Sequence, residues 1–316
     1  MEFRRVQETG GGTFIVSLPK EWAARNSIRR GSVVAVHEQP DGRLLIDPAY
    51  ERPAQPTETV VEYPAKADHI AWAIIGAYLG GYDVIRVQGE KRIAPDDREL
   101  IARTIRRLVG LEIIDEDACS ISAQCILDPS LLAPRKILRR MSVITGSMQE
   151  EAMASILEND GQLARSVISR DDEVDRLYFL AVRLLRSAVL SSRLASEFDI
   201  SPISCLDYRV AAHLIESIGD YSVQIAERAV TMPKQGIPGE LEPPLRALSE
   251  MLSKMQDLAV GSLLTERPLL SMKMELHEQV RSLSSELIEK LDLLNGAIAR
   301  QPESLIPQVS GVSSLL

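Results

Sequence analysis

Five carboxylates at helical spacing carry the most chemistry in this chain. In Leu214-Ile-Glu-Ser-Ile-Gly-Asp-Tyr-Ser-Val-Gln-Ile-Ala-Glu227, Glu216, Asp220 and Glu227 fall on one face of a helix otherwise built for burial. Upstream, Asp171 and Asp175 repeat the four-residue interval in Asp-Asp-Glu-Val-Asp. Four residues turn an α-helix through about 400°, which leaves each pair near register. Two such helices side by side would gather four carboxylates, and such a gathering needs a cation. Carboxylate-only coordination suits hard or borderline metals such as iron, manganese or magnesium, and zinc is accessible to it. Without a metal or a basic partner the same groups would raise one another's pKa values. Arg176 and Arg228 are near enough in sequence to be such partners, and a salt-bridged surface is the alternative to a metal. His213 could add a nitrogen, although a lone helical histidine is more often packed or exposed. Asp172 and Glu173 lie off the main face and read as solvated. Spacing alone is not diagnostic, because 45 acidic residues in 316 give about six i,i+4 acidic pairs by chance.

A second constellation is basic. The chain carries a net charge of −9, yet Arg4, Arg5, Lys20, Arg25, Arg29 and Arg30 cluster before position 31, where only three acidic residues face them. A local basic patch inside an acidic chain is compatible with nucleic-acid contact, and a solvated surface explains it equally well.

The elements that position these residues differ along the chain. Residues 3–9 read as a strand, Gly10-Gly-Gly12 as a turn and Thr13–Leu18 as a second strand. Pro19 then opens a short helix, since proline is tolerated where the first helical N–H groups lack partners. A further strand follows Gly31, and Asp41-Gly42 is a hairpin turn before Leu44-Leu-Ile. Residues 49–66 are proline-rich and read as a linker, with an edge strand at Val60-Val61. Residues 67–132 alternate helix and strand as a small α/β module: helices over 67–80 and 95–109, strands near 82–87, 111–114 and 120–127. Gly80-Gly81 leads from helix into strand, the wrong polarity for a phosphate cradle, and reads as a helix C-cap. Apolar spacing of three and four predicts long helices over 138–158, 162–194 and 204–230 within a bundle at 133–232, and over 241–264 and 272–298 within 233–316.

Length and a 45% hydrophobic content are ample for two or three cored domains. The longest apolar runs fall well short of the roughly 20 residues of a membrane span. The opening residues lack the apolar stretch of a secretory signal, and three cysteines do not make a disulfide framework, so the cytoplasm is the expected compartment. Cys119 and Cys125 read as buried thiols rather than metal ligands.

Two resemblances sharpen the reading. The words Thr9-Gly-Gly-Gly-Thr-Phe-Ile-Val-Ser-Leu-Pro-Lys-Glu-Trp22, Arg30-Gly-Ser-Val-Val34 and Asp41-Gly-Arg-Leu-Leu-Ile-Asp-Pro48 resemble the AbrB/MazE/SpoVT swapped-hairpin domain. That likeness implies a homodimer through residues 1–48 and DNA contact by Arg4, Arg5, Lys20, Arg25, Arg29 and Arg30. Four short strands and a turn of helix cannot bury a core alone, and two interleaved copies can. Ile-Glu-Ser-Ile-Gly-Asp-Tyr with Ile-Ala-Glu resembles the PhoU-type helical bundle, which implies an iron or zinc cluster held by Asp171, Asp175, Glu216, Asp220 and Glu227. The chain as a whole resembles an archaeal-type phosphate uptake regulator: a multidomain α+β protein with a hairpin domain, a central α/β module and PhoU-like three-helix bundles. Residues 78–83 and 108–114 resemble the region between the two domains in such fusions. The second repeat departs from the pattern, with Gln279 following Glu275 and the chain stopping at Leu316 where a third helix is due. One metal site is therefore expected, with an unfinished or divergent last bundle whose apolar face needs a partner.

The resemblance implies a phosphate-responsive regulator acting at promoter DNA. The competing reading is an adaptor that docks on a phosphate transporter ATPase or a sensor kinase, with residues 1–48 only dimerising. A di-iron enzyme is disfavoured, because no Glu-x-x-His pair, nucleophile constellation or P-loop is present near the acids.

Overall fold

A computed structural model of the chain describes residues 3–38, 42–48, 56–64, 67–232, 236–265 and 270–299. It consists of two compact units, Met1–Pro56 and Thr57–Leu316. Asp41, most of the proline-rich linker, the breaker at 233–235 and residues 300–316 lie outside the described residues.

The first unit is two hairpins and a short helix. Strands β1 (Gln7–Thr9) and β2 (Thr13–Ile15) pair antiparallel across the triple glycine, where Gly11 and Gly12 take positive φ and the Gly12 N–H donates to the Thr9 carbonyl. Helix α1 (Lys20–Arg25) follows Pro19 and ends as Ser27 turns left-handed, with the Ile28 N–H returning to the Ala23 carbonyl. Strands β3 (Ala35–Glu38) and β4 (Leu44–Asp47) form the second hairpin. No residue of α1 is buried, and Phe14, Val16, Val36 and Leu44 are exposed.

The second unit begins with β5 (Glu58–Tyr63), an edge strand lying inside the stretch expected as linker. It pairs parallel with β6 (Val84–Gly89), the crossover being α2 (Ala67–Gly80). Helix α3 (Pro95–Arg107) leads to the hairpin β7 (Leu111–Glu116) and β8 (Ser120–Cys125), giving the order β5-β6-β8-β7. Ile85 and Val87 stand opposite Ala123 and Ile121, and their alternation puts all four on the sheet face that buries Ile70, Ile74, Tyr78, Ile101 and Ile105 of the two helices. Gly81 caps α2 as expected, with φ +92° and its N–H on the Tyr78 carbonyl. Cys119 and Cys125 are only half-buried, whereas Cys205 is buried.

Helices α4 (Pro134–Leu157), α5 (Gly161–Leu190) and α7 (Pro202–Val230) pack mutually as a three-helix bundle. The helix expected to reach 194 stops at Leu190, because the Ser191 hydroxyl accepts from the Leu194 N–H and starts the separate α6 (Ser192–Glu197). Helix α8 (Glu242–Leu264) lies on α4 and α9 (Leu270–Ile298) on α8. These last helices share the bundle's apolar core, and Gln256 inserts between Ser142 and Thr145 of α4.

Candidate functional site

The neighbouring helices α5 and α7 bring four of the five predicted acidic residues together. Burial lifts the Asp171 carboxyl first, and the charges of Asp175, Asp220, Glu216 and Asp172 lift it further, to about 6. Burial also raises Glu216, with Asp220 and Asp175 adding to it, while His213 Nδ1 at 3.3 Å from its Oε2 counteracts. Gly219 is buried where the two helices meet, and a Cβ there would lie in ordinary van der Waals contact, 3.6 Å from Asp171 Oδ1 and 3.5 Å from Thr145 Cγ2. Glu227 is exposed and does not join the four. Seven residues beyond Asp220, it stands about 10 Å further along the helix.

The counter-charge comes from an unexpected place. Arg107, the last residue of α3 in the α/β module, donates from Nη2 to Asp175 Oδ2 at 2.6 Å and lies 3.5 Å from Asp172 Oδ1. It lowers the Asp175 carboxyl against the burial that raises it, and the net direction remains upward. Among the described residues, neither Arg176 nor Arg228 makes an ion pair with the cluster. Asp172 and Glu173 are not merely solvated either, since Glu173 pairs with Arg140 of α4. No group of three or more His, Cys, Asp or Glu among the described residues is arranged to hold a metal ion. The residues are in the right neighbourhood for a metal, and their present arrangement does not fit one.

A second arginine joins the same two modules. Arg183 of α5 is 6% exposed; its Nη1 donates to the Tyr78 carbonyl at 2.7 Å and the Tyr82 carbonyl at 2.9 Å, and Nη2 reaches the Gly81 carbonyl at 3.4 Å. Its guanidinium also covers the Tyr78 ring at 4.9 Å. Cationic donors suit the carbonyl end of a helix, where four C=O groups lack partners. Sequence reading missed both arginines. A charge inside the apolar run Tyr178-Phe-Leu-Ala-Val-Arg-Leu-Leu185 was a signal for Arg183, and nothing local marked Arg107.

All six predicted DNA-contact residues are exposed. Arg4 and Arg5 precede β1, Lys20 and Arg25 bound α1, and Arg29 and Arg30 sit in the turn closed at Gly31, where the Ser32 hydroxyl accepts from the Arg29 N–H. Lys20 and Arg25 lie about 140° apart around their helix, so one protomer does not present both from a single helix face.

Residues 138–229 match the PhoU domain, and residues 7–56 match the family described as antidote-toxin recognition MazE, bacterial antitoxin. No curated protein and no solved structure matches the chain. Among the described residues no helix is long and apolar enough to cross a membrane. Both matched families are regulatory rather than enzymatic. The chain joins a MazE/AbrB-type N-terminal domain to a PhoU domain and is, at the level of these families, a regulator of phosphate homeostasis.

Proposed function

We propose that this protein is a transcriptional regulator of phosphate uptake, bound to promoter DNA through a homodimer of its N-terminal unit. It acts by binding rather than by catalysis. The observation that carries the reading is the state of that unit in one protomer. Phe14 (69%) and Leu44 (68%) are exposed on separate two-stranded ribbons, and α1 buries nothing. An open hollow of about 540 Å³ between α1 and β4 is lined by Leu18, Trp22, Leu44, Leu45 and Ile46. Surfaces like these are stable in water only when a second copy covers them. Dimerisation doubles the six exposed basic side chains on a two-fold assembly, the symmetry of a paired DNA half-site. Deleting the gene is expected to abolish phosphate-dependent transcript changes; an unchanged transcriptome across phosphate limitation refutes the reading.

One observation favours a second reading, an adaptor for a phosphate transporter ATPase or a sensor kinase. Ile203, Leu206, Val210 and Leu214 make an exposed apolar stripe on α7, beside a groove of about 340 Å³ lined by Val189, Leu190 and Leu206. Co-purification with a transporter subunit, by a chain without DNA affinity, would favour the adaptor.

A further inference from the structure

The outer side of the bundle carries a row of apolar side chains turned to water. Ile203, Leu206, Val210 and Leu214 recur at intervals of three and four on α7, and each is more than half exposed. At 1.5 Å per residue they form one row roughly 16 Å long. Val189 and Leu190 at the end of α5 are equally exposed, and the hollow of about 340 Å³ between the two helices is lined by Leu185 and the buried Cys205 as well. Single exposed apolar residues are ordinary on a protein surface, whereas a contiguous row beside a hollow marks a docking face.

The charges that line the hollow are of one sign, in a chain whose net charge is −9. They are Arg186 of α5 and Arg209 of α7. Among the described residues neither makes an ion pair: Arg186 is exposed, and Arg209 lies over the Tyr178 ring, 5.1 Å from its centre. The acids nearby are engaged or turned away. Glu197 pairs with Arg193 and Glu216 with His213, and Asp207 falls about 160° from Arg209 around α7. A row with helical spacing is matched by another helix, whose side chains recur at the same intervals and seat in the grooves between ridges. Acidic residues beside the apolar row of such a helix would meet the two guanidinium groups that lack a carboxylate.

We propose that the groove between α5 and α7 docks an amphipathic helix of another protein, one whose apolar face is flanked by Glu or Asp on the side that meets Arg186 and Arg209. This inference deepens the adaptor reading by giving the chemistry of the partner; it rests on that reading's docking face and is independent of DNA contact. The apolar row supplies the contact area. The two arginines at its margin fix the orientation of the bound helix and discriminate against helices with basic flanks, more than they add affinity.

The test uses the full chain and two labelled peptides, followed by fluorescence anisotropy. Both are alanine-based helices with Leu at i, i+3, i+7 and i+11; one carries Glu beside this row and the other Lys. The unaltered chain is expected to bind the Glu peptide about tenfold tighter than the Lys peptide, the range of two partly exposed charge contacts reversed in sign. High salt should narrow the difference. Arg186→Glu with Arg209→Glu should invert the preference. Arg186→Glu alone, at an exposed side chain, should narrow it even if the double variant fails to fold. Leu206→Asp should weaken binding of both peptides. Binding of neither peptide, equal binding of both, or a preference that charge reversal leaves unchanged would overturn the proposal. A lower sedimenting mass of Leu206→Asp would overturn it too, by assigning the face to a second copy of the chain. A chain that co-purifies with a transporter subunit through Leu206 while preferring neither peptide would keep the adaptor reading and lose this inference.

Discussion

The guanidinium of Arg107 sits 2.6 Å from the carboxylate of Asp175, across 68 residues of sequence and between two modules. The two partners are not equivalent. Removing Asp175's charge also relieves its acidic neighbours, whereas removing Arg107 leaves Asp175 and Asp172 without the guanidinium they face. Asp175→Asn is therefore expected to change stability by less than about 1 kcal/mol, and Arg107→Ala to cost more than that. Thermal melts of both single variants and the double variant check this; equal losses for the singles would contradict it.

The cluster also sets a pH dependence. Asp171 has a folded-state pKa raised from 3.8 to about 6. A carboxyl raised in this sense binds its proton more tightly when folded, so its ionisation opposes folding. Stability lost to this group grows as pH rises from about 4 through about 6 and is constant above. Asp171→Asn should accordingly melt higher than the unaltered, metal-free chain near about pH 7.5 and show no gain near about pH 4. A gain of the same size at both would exclude the repulsion described here.

Arg183 is the stricter structural requirement. Replacement by Met leaves the Tyr82 carbonyl without this donor and the Tyr78 carbonyl with the Gly81 N–H alone, at a cost of about 1–3 kcal/mol. The urea midpoint should fall with an unchanged slope. Lys should rescue only in part, because one ammonium lacks the second nitrogen that reaches the Gly81 carbonyl and the planar guanidinium that covers the Tyr78 ring.

Gly110 links α3 to β7 at φ +76°, and a Cβ there would stand 2.2 Å from Leu127 Cγ. Gly110→Ala combines backbone strain with overlap, so a loss of more than about 2 kcal/mol is expected. Little change in the melt would show that Leu127 moves aside freely.

Leu44 tests the dimer. A charge on this exposed side chain leaves a solvated monomer undisturbed and damages an interface. Leu44→Asp should lower the sedimenting mass at micromolar concentration and abolish DNA binding with it. An unaltered mass would place the dimer contact elsewhere.

Much of this arrangement is legible in the sequence. The apolar spacing of Ile70, Ile74 and Ala77 gives α2, and the four-residue intervals of Asp171/Asp175 and Glu216/Asp220 give two acidic stripes on helices that do pack together. What is not legible is long-range. Arg107 is one of several charges on an amphipathic helix, and only the docking of α3 against α5 selects it. Glu227 shared its helix with the cluster but lies too far along it, which spacing by sevens conceals. The end of α5 at Leu190 turned on the Ser191 cap, a single hydroxyl inside an otherwise continuous helical pattern.

The most direct measurement is binding of the full chain to its own upstream DNA across a salt series, beside a variant with Arg4, Arg5, Arg29 and Arg30 changed to Ala. Sequence-selective binding that weakens steeply with salt in the unaltered chain, and loses both affinity and salt slope in the variant, is the expected result. Equal and negligible binding by both would contradict a role at promoters and leave residues 1–48 as a dimer clasp.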